Sequence, residues 1–231
     1  MKLSNRLMAL VNFVPKNSIV ADIGTDHGYI PMHLIENQIS KHVIATDVSK
    51  GSLNKTLSYI NDVEFKGKIE ARLGDGLEVL KPFEVDTVVI AGMGGLLIRD
   101  ILNKDLNKSN SITNYILQPM IAVKELREYL FNNSYIIVDE DLVKEDNKFY
   151  EIIYAKKGKD FVEKDIYFEI SKKIIEKKHP LLEEFIKYKI ASASNILNNL
   201  EDKTSDKSKD RYKELTEIIS KYEEVLLNIE G

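Results

Sequence analysis

Four aspartates, Asp22, Asp26, Asp47 and Asp75, and three glycine-containing turns are the parts of this chain whose types and spacing could do chemistry. The first two acids stand in Ser18 to Gly28, an apolar run that closes on Asp22-x-Gly24-x-Asp26-x-Gly28. A glycine turn after a strand lets backbone amides and a helix N-terminus face a ligand. The dinucleotide fingerprint Gly-x-Gly-x-x-Gly is absent, and an acid at the strand end repels a pyrophosphate. The pattern suits a cationic ligand with an amino group, of which S-adenosylmethionine (SAM) is the obvious case. Asp47 follows Asp22 by 25 positions. A carboxylate there can accept from the vicinal hydroxyls of a ribose, or N-cap the next helix. Asp75, in Gly74-Asp75-Gly76, can accept from an adenine amine, or serve only as a turn residue. Gly92 to Gly95 allow close backbone approach, either to a ligand or to a packed helix.

The elements that must position these residues read as alternating strands and helices. Leu3, Leu7, Leu10, Val11 and Val14 recur at helical spacing, and Pro15 and Asn17 end that helix. Strands are expected over Ser18 to Asp22, Lys41 to Asp47, Ile69 to Leu73, Asp86 to Ala91 and Tyr115 to Leu117. Helices are expected over Tyr29 to Glu36, from the N-cap Ser49 to Ile60, from the glycines to Leu102, and from Met120 to Phe131. Pro31 falls in the first turn of its helix, where its missing donor costs little. Ser134 to Val138 and Tyr150 to Ala155 are joined by a charged stretch, Asp139 to Lys148, read as a loop. With no helix between them they should pair antiparallel. Five βα units closed by such a hairpin differ from a dinucleotide-binding dehydrogenase, which normally finishes on a sixth parallel strand.

The chain has 231 residues, 43% hydrophobic and 30% charged, which accommodates one domain with a real core and a smaller appendage. A net charge of −4 excludes a heavily basic nucleic-acid binder, although a local patch can coexist with it. Cysteine is absent, which removes disulfides, thiolate metal sites and a cysteine nucleophile together. His27, His33, His42 and His179 share no ligand spacing, so no metal is expected. The serine elbow Gly-x-Ser-x-Gly is also missing. Met1 to Val14 lacks the pattern of a signal peptide, and no run approaches a membrane span, so the expected location is cytoplasmic.

Asp22-Ile-Gly-Thr-Asp-His-Gly-Tyr-Ile-Pro31, Ala91-Gly-Met-Gly-Gly95, Gln118-Pro-Met120 and Phe149-Tyr-Glu-Ile152 together resemble the bacterial tRNA adenine N1-methyltransferases of the TrmK type. The resemblance covers about Leu3 to Lys157. It implies a Rossmann-like α/β fold of the class I SAM-dependent methyltransferases. That fold has a mostly parallel seven-stranded sheet with an antiparallel last strand, here followed by a C-terminal α-helical hairpin. It implies methyl transfer from SAM to N1 of adenine 22 in tRNA, in the D-loop region. SAM contacts would come from Asp22, Gly24, Asp47, Asp75 and the Ala91 to Met93 backbone, and His27, Gly28, Val48 and Gly76 are expected to bind the cofactor with them. Tyr29, Gln118 and Pro119 would meet the tRNA. The chain departs from the common methyltransferase loop at Asp26, where a glycine is usual. It also lacks the Asn-Pro-Pro-aromatic device that stacks on a flipped amine.

That absence is consistent with attack by a ring nitrogen, whose lone pair needs no general base. Asp26 is the expected catalytic residue, orienting the adenine through its amine and stabilising the cationic product; the bland reading is a group that holds the SAM loop. Domain boundaries are expected at 1–160 and 161–231. In the second part, apolar residues from Leu182 to Leu200 and from Leu215 to Ile229 mark two amphipathic helices around the polar segment Glu201 to Asp210. They should form a coiled-coil-like hairpin, with Lys172, Lys173, Lys177, Lys178, Lys187 and Lys189 available to phosphates. A monomer or weak dimer is expected. Two other classes stay open: a SAM-dependent methyltransferase of a small molecule or protein, and a non-catalytic SAM- or nucleotide-binding partner.

Overall fold

Val20 and Ala21, Val88 and Val89, and Ile116 and Leu117 are adjacent pairs whose members point to opposite faces of one sheet and are all buried. Strands covered on both faces belong to a parallel sheet between helical layers. In the computed structural model, which describes residues 2–60, 65–200 and 205–230, that is what forms. The chain divides into two units, Met1–Val162 and Glu163–Gly231.

The first unit runs α1 (Asn5–Asn12), β1 (Ser18–Ile23), α2 (Tyr29–Glu36), β2 (Ser40–Asp47), α3 (Lys50–Ile60) and β3 (Ile69–Leu73). It continues with β4 (Thr87–Met93), α4 (Gly95–Lys104), α5 (Leu106–Ser111), β5 (Asn114–Pro119), α6 (Val123–Asn132), β6 (Tyr135–Glu145) and β7 (Lys148–Lys157). Among the described residues these strands make one seven-stranded sheet in the order β3-β2-β1-β4-β5-β7-β6. All pairs are parallel except β5 with β7 and β7 with β6. The antiparallel insertion beside β5 is therefore as expected from the sequence. One core layer lies under α4 and α6, built on Ile98, Leu102, Leu126 and Leu130. The other lies under α1 and α2, built on Leu10, Val11, Leu34 and Ile35.

Local signals set the helix ends. Ser4 caps α1 by accepting from Leu7 N, and Ser49 Oγ accepts from Ser52 N at the start of α3. Asp105 caps α5, a helix the sequence reading, which ended the preceding helix at Leu102, did not anticipate.

The stretch Asp139 to Lys148 corrects the sequence reading. It is strand rather than loop, with register from Asp139↔Tyr154 to Glu145↔Lys148. Only Asp146 and Asn147 turn, both with positive φ (49° and 60°), as a two-residue hairpin turn requires. The charges misled because Glu140 and Glu151 point inward, where Arg127 of α6 receives both. Arg127 Nε and Nη2 donate to Glu140 Oε1 at 2.9 and 2.7 Å, and Nη2 to Glu151 Oε2 at 2.6 Å.

The second unit holds α7 (Ile166–Glu169), α8 (Lys172–Glu176), α9 (Leu182–Asn198) and α10 (Asp206–Glu230). α9 packs against α10, burying Phe185, Ile186 and Ala193 on one and Leu215 and Tyr222 on the other. The Tyr222 hydroxyl donates to Glu169 at 2.8 Å, tying α7 to α10. The polar segment at 201–210 lies partly outside the described residues, and its last part, from Asp206, is the first turns of α10. Among the described residues no helix is long and apolar enough to cross a membrane.

Candidate active site

The carboxyl ends of β1, β2, β3 and β4 converge on a cleft of about 550 Å³. An open parallel sheet places its ligand there because the strand order reverses between β1 and β4. Asp22 sits one residue before the end of β1, between Ala45 of β2 and Val89 of β4. Burial in that apolar setting pushes its carboxyl up to about 7, with a smaller contribution from the neighbouring Asp47 charge. The loop beyond is pinned to β2, since Gly24 N and Thr25 N both donate to Thr46 O at 2.9 Å. Gly24 has φ +77°, and a Cβ there would lie 2.4 Å from Met93 Cε. Glycine is needed for both reasons.

Asp26 takes φ +47°, which aspartate tolerates better than most residues. Its amide donates to Asp47 Oδ2 at 3.4 Å, while its exposed carboxylate pairs with His27 Nδ1 at 2.9 Å. Asp47 Oδ1 in turn accepts from Ser49 N at 2.7 Å. Each Asp47 oxygen keeps a second lone pair for a ligand hydroxyl. Asp75 is held by Lys104 Nζ at 2.9 Å. Gly92 has φ +76°, and a Cβ on it would meet only open space, so the backbone there faces the cleft bare.

Asp22, Gly24, Asp26, Tyr29, Asp47 and Val48 line this cleft, as do Asp75, Gly76, Ala91, Gly92 and Met93. His27 and Gly28 stand beside it. His27 stacks on Tyr29 with centroids 5.2 Å apart and lies 3.1 Å from Lys55 Nζ. Gly28 instead serves packing, because a Cβ there would press on Thr56 at 2.8 Å. Gln118 and Pro119 are buried behind the lining; the Gln118 amide is engaged by Arg6, Gly92 N and Pro119 O. Of the tail lysines, Lys172 pairs with Glu163 at 2.7 Å, Lys187 with Glu183, and Lys189 with Glu169 at 3.5 Å. Lys173 belongs to α8, and Lys177 and Lys178 follow it directly.

Sequence reasoning missed Arg6, Leu7, Thr46 and Leu97, which also line the cleft. None carries a local signal. Arg6 reaches the site only because α1 packs near the end of β5, 112 residues away along the chain. Among the described residues no group of three or more His, Asp or Glu could hold a metal.

The donor set fits SAM. Asp22 offers a desolvated carboxylate to an ammonium, Asp47 free lone pairs to a ribose diol, and Asp75 an acceptor to an adenine amine. Gly92 keeps open the space that any side chain would take. Fold and site together define a class I SAM-dependent methyltransferase. Residues 3–153 match the family described as "Methyltransferase domain". Over 158 residues the chain is 37% identical to the tRNA (adenine(22)-N(1))-methyltransferase of Bacillus subtilis, spanning 68% of this chain and 66% of that protein's length. The crystal structure of the B. subtilis m1A22 tRNA methyltransferase TrmK superposes with a TM-score of 0.88 at 29% identity, covering 97% of this chain and 99% of that one. The M. capricolum TrmK complex with S-adenosylhomocysteine (SAH) superposes with a TM-score of 0.85 at 29% identity, covering 99% of both. The chain belongs to the TrmK-type tRNA (adenine-N1)-methyltransferase family.

Proposed function

We propose that the protein transfers the methyl group of SAM to N1 of an adenine in tRNA, at position 22 in the D-loop region. The observation that carries the reading is the acid-lined cleft at the β1/β4 reversal, on a fold shared over nearly its whole length with the TrmK structures. SAM supplies a methyl group on a sulfonium that leaves as a neutral thioether. The N1 lone pair forms the new bond as the carbon–sulfur bond breaks, and no proton has to be removed first. The work left to the chain is alignment, which alone can supply much of the acceleration. N1 is occupied in a Watson–Crick pair, so the base must be unpaired or extruded to enter. Leu97 in the first turn of α4, and Met120 and Ile121 in the segment after β5, are exposed apolar side chains suited to an unstacked base. A tRNA substrate implies action in the cytoplasm. The test is labelled-methyl transfer into unmodified tRNA followed by nucleoside analysis; 1-methyladenosine is the expected product, and label confined to another nucleoside or acceptor refutes it.

Asp26 is read as the residue that accepts from the adenine amine and offsets the positive charge developing on the ring. Asn keeps the left-handed backbone accessible, so Asp26→Asn separates charge from conformation. The expected result is a kcat lowered about 10- to 100-fold with SAM affinity within about twofold, measured by single-turnover kinetics and calorimetry. Unchanged turnover would leave Asp26 as a loop-holding group, tied to His27.

The second unit is read as a tRNA grip, with Lys173, Lys177 and Lys178 as phosphate contacts. Three neutralised phosphates cost about 40-fold in affinity between about 50 and about 200 mM salt. Replacing the three lysines with glutamine should flatten the slope of log Kd against log salt by about 2 to 3. A slope equal to the wild type's would remove these residues from the interface.

A further inference from the structure

An acidic cleft accounts for the ammonium, ribose and adenine of SAM but leaves its carboxylate without a partner. Set among Asp22, Asp26 and Asp47, that carboxylate would be repelled unless a cation met it. Among the described residues Arg6 is the one cationic side chain lining the cleft. Lys55 lies against His27, and Lys104 is bound to Asp75 and Glu78.

We propose that Arg6 holds the carboxylate of SAM, oriented by Gln118. The inference rests on SAM being the ligand of this cleft. Arg6 Nη1 donates to Gln118 Oε1 at 2.7 Å, and its guanidinium lies 5.3 Å over the Tyr150 ring. The same Gln118 oxygen accepts from Gly92 N at 3.2 Å, so one fully buried amide sets both the arginine and the glycine turn. One corner and one face of the guanidinium are thus fixed. Among the described residues nothing takes the Nε–Nη2 edge, which is a fork matched to a carboxylate. The backbone amide of Arg6 donates to Glu145 at 3.1 Å, which anchors the start of α1 without using the side chain. Arg6 therefore binds the ligand directly, and Gln118 is a positioning residue.

Calorimetry on the full chain with two ligands tests this. SAH carries the amino-acid moiety, and 5′-methylthioadenosine is the same nucleoside thioether without it. Arg6→Gln should weaken SAH about 10- to 100-fold and leave 5′-methylthioadenosine within about twofold. Arg6→Lys, which keeps the charge but not the fork, should lose less, and Gln118→Leu, which also frees the Gly92 turn, should weaken SAH more than 5′-methylthioadenosine. Equal losses for both ligands would overturn the assignment. So would unchanged SAH affinity with a raised KM for tRNA and a shallower salt slope, which would give Arg6 to a phosphate instead. A wild-type protein that binds neither ligand would refute the SAM reading itself, a distinct outcome.

Discussion

Asp22→Asn should cost the protein at least about 100-fold in SAM affinity while making the ligand-free form more stable above pH 7. Both effects have one cause. The wild-type carboxyl is buried between β2 and β4, and burial lifts it to about 7 from 3.8. Between those values the native state holds a proton that the unfolded state has released. Stability of the ligand-free protein therefore falls as pH rises from about 4 to about 7, by up to about 4 kcal/mol. The cationic ligand reverses this, because it binds the ionised form and repays the desolvation with an ion pair. Thermal unfolding from pH 5 to pH 8 should show a ligand-induced gain in Tm that grows with pH in the wild type and vanishes in Asp22→Asn. SAM affinity should rise about tenfold per pH unit below 7 and level off above it. A pH-independent affinity would place the ammonium elsewhere.

Arg127→Met is the expected worst substitution outside the cleft, costing about 3–5 kcal/mol in urea denaturation. It strands Glu140 and Glu151 as two buried carboxylates, with side chains only 3% and 7% exposed. Glu151→Gln should cost less, since Arg127 and Glu140 remain a neutral pair joined by two hydrogen bonds. Replacing all three with apolar residues of similar volume should recover most of the loss, because no buried charge is then left. Acid should partly rescue Arg127→Met, as each stranded carboxyl can take a proton. If the triple variant is no better than Arg127→Met, the triad is needed for more than charge balance. Its position gives a reason to look for that. The triad fastens α6 to the hairpin, and α6 starts immediately after the Gln118 to Ala122 segment that backs the cleft. Activity should therefore fall before global unfolding in partly destabilised variants.

Some of this was determined by the sequence alone. Strand runs, the acids that close them and the glycines that follow are neighbours along the chain, so their periodicity carries the α/β order and places Asp22, Asp47 and Asp75 at one edge of the sheet. The hairpin at the end was legible for the same reason, although its long ribbon was not. Tertiary structure alone decided the rest. Asp139 to Glu145 looks like a charged loop until Arg127 arrives from α6 to neutralise the inward face. Gln118 looks like a surface ligand until the sheet buries it between Arg6 and Gly92. Arg6 looks like an ordinary charge on the first helix until α1 packs beside β5. In each case the deciding interaction is an ion pair or hydrogen bond between residues far apart in the chain. The energy of such a contact depends on burial and distance, and the fold sets both.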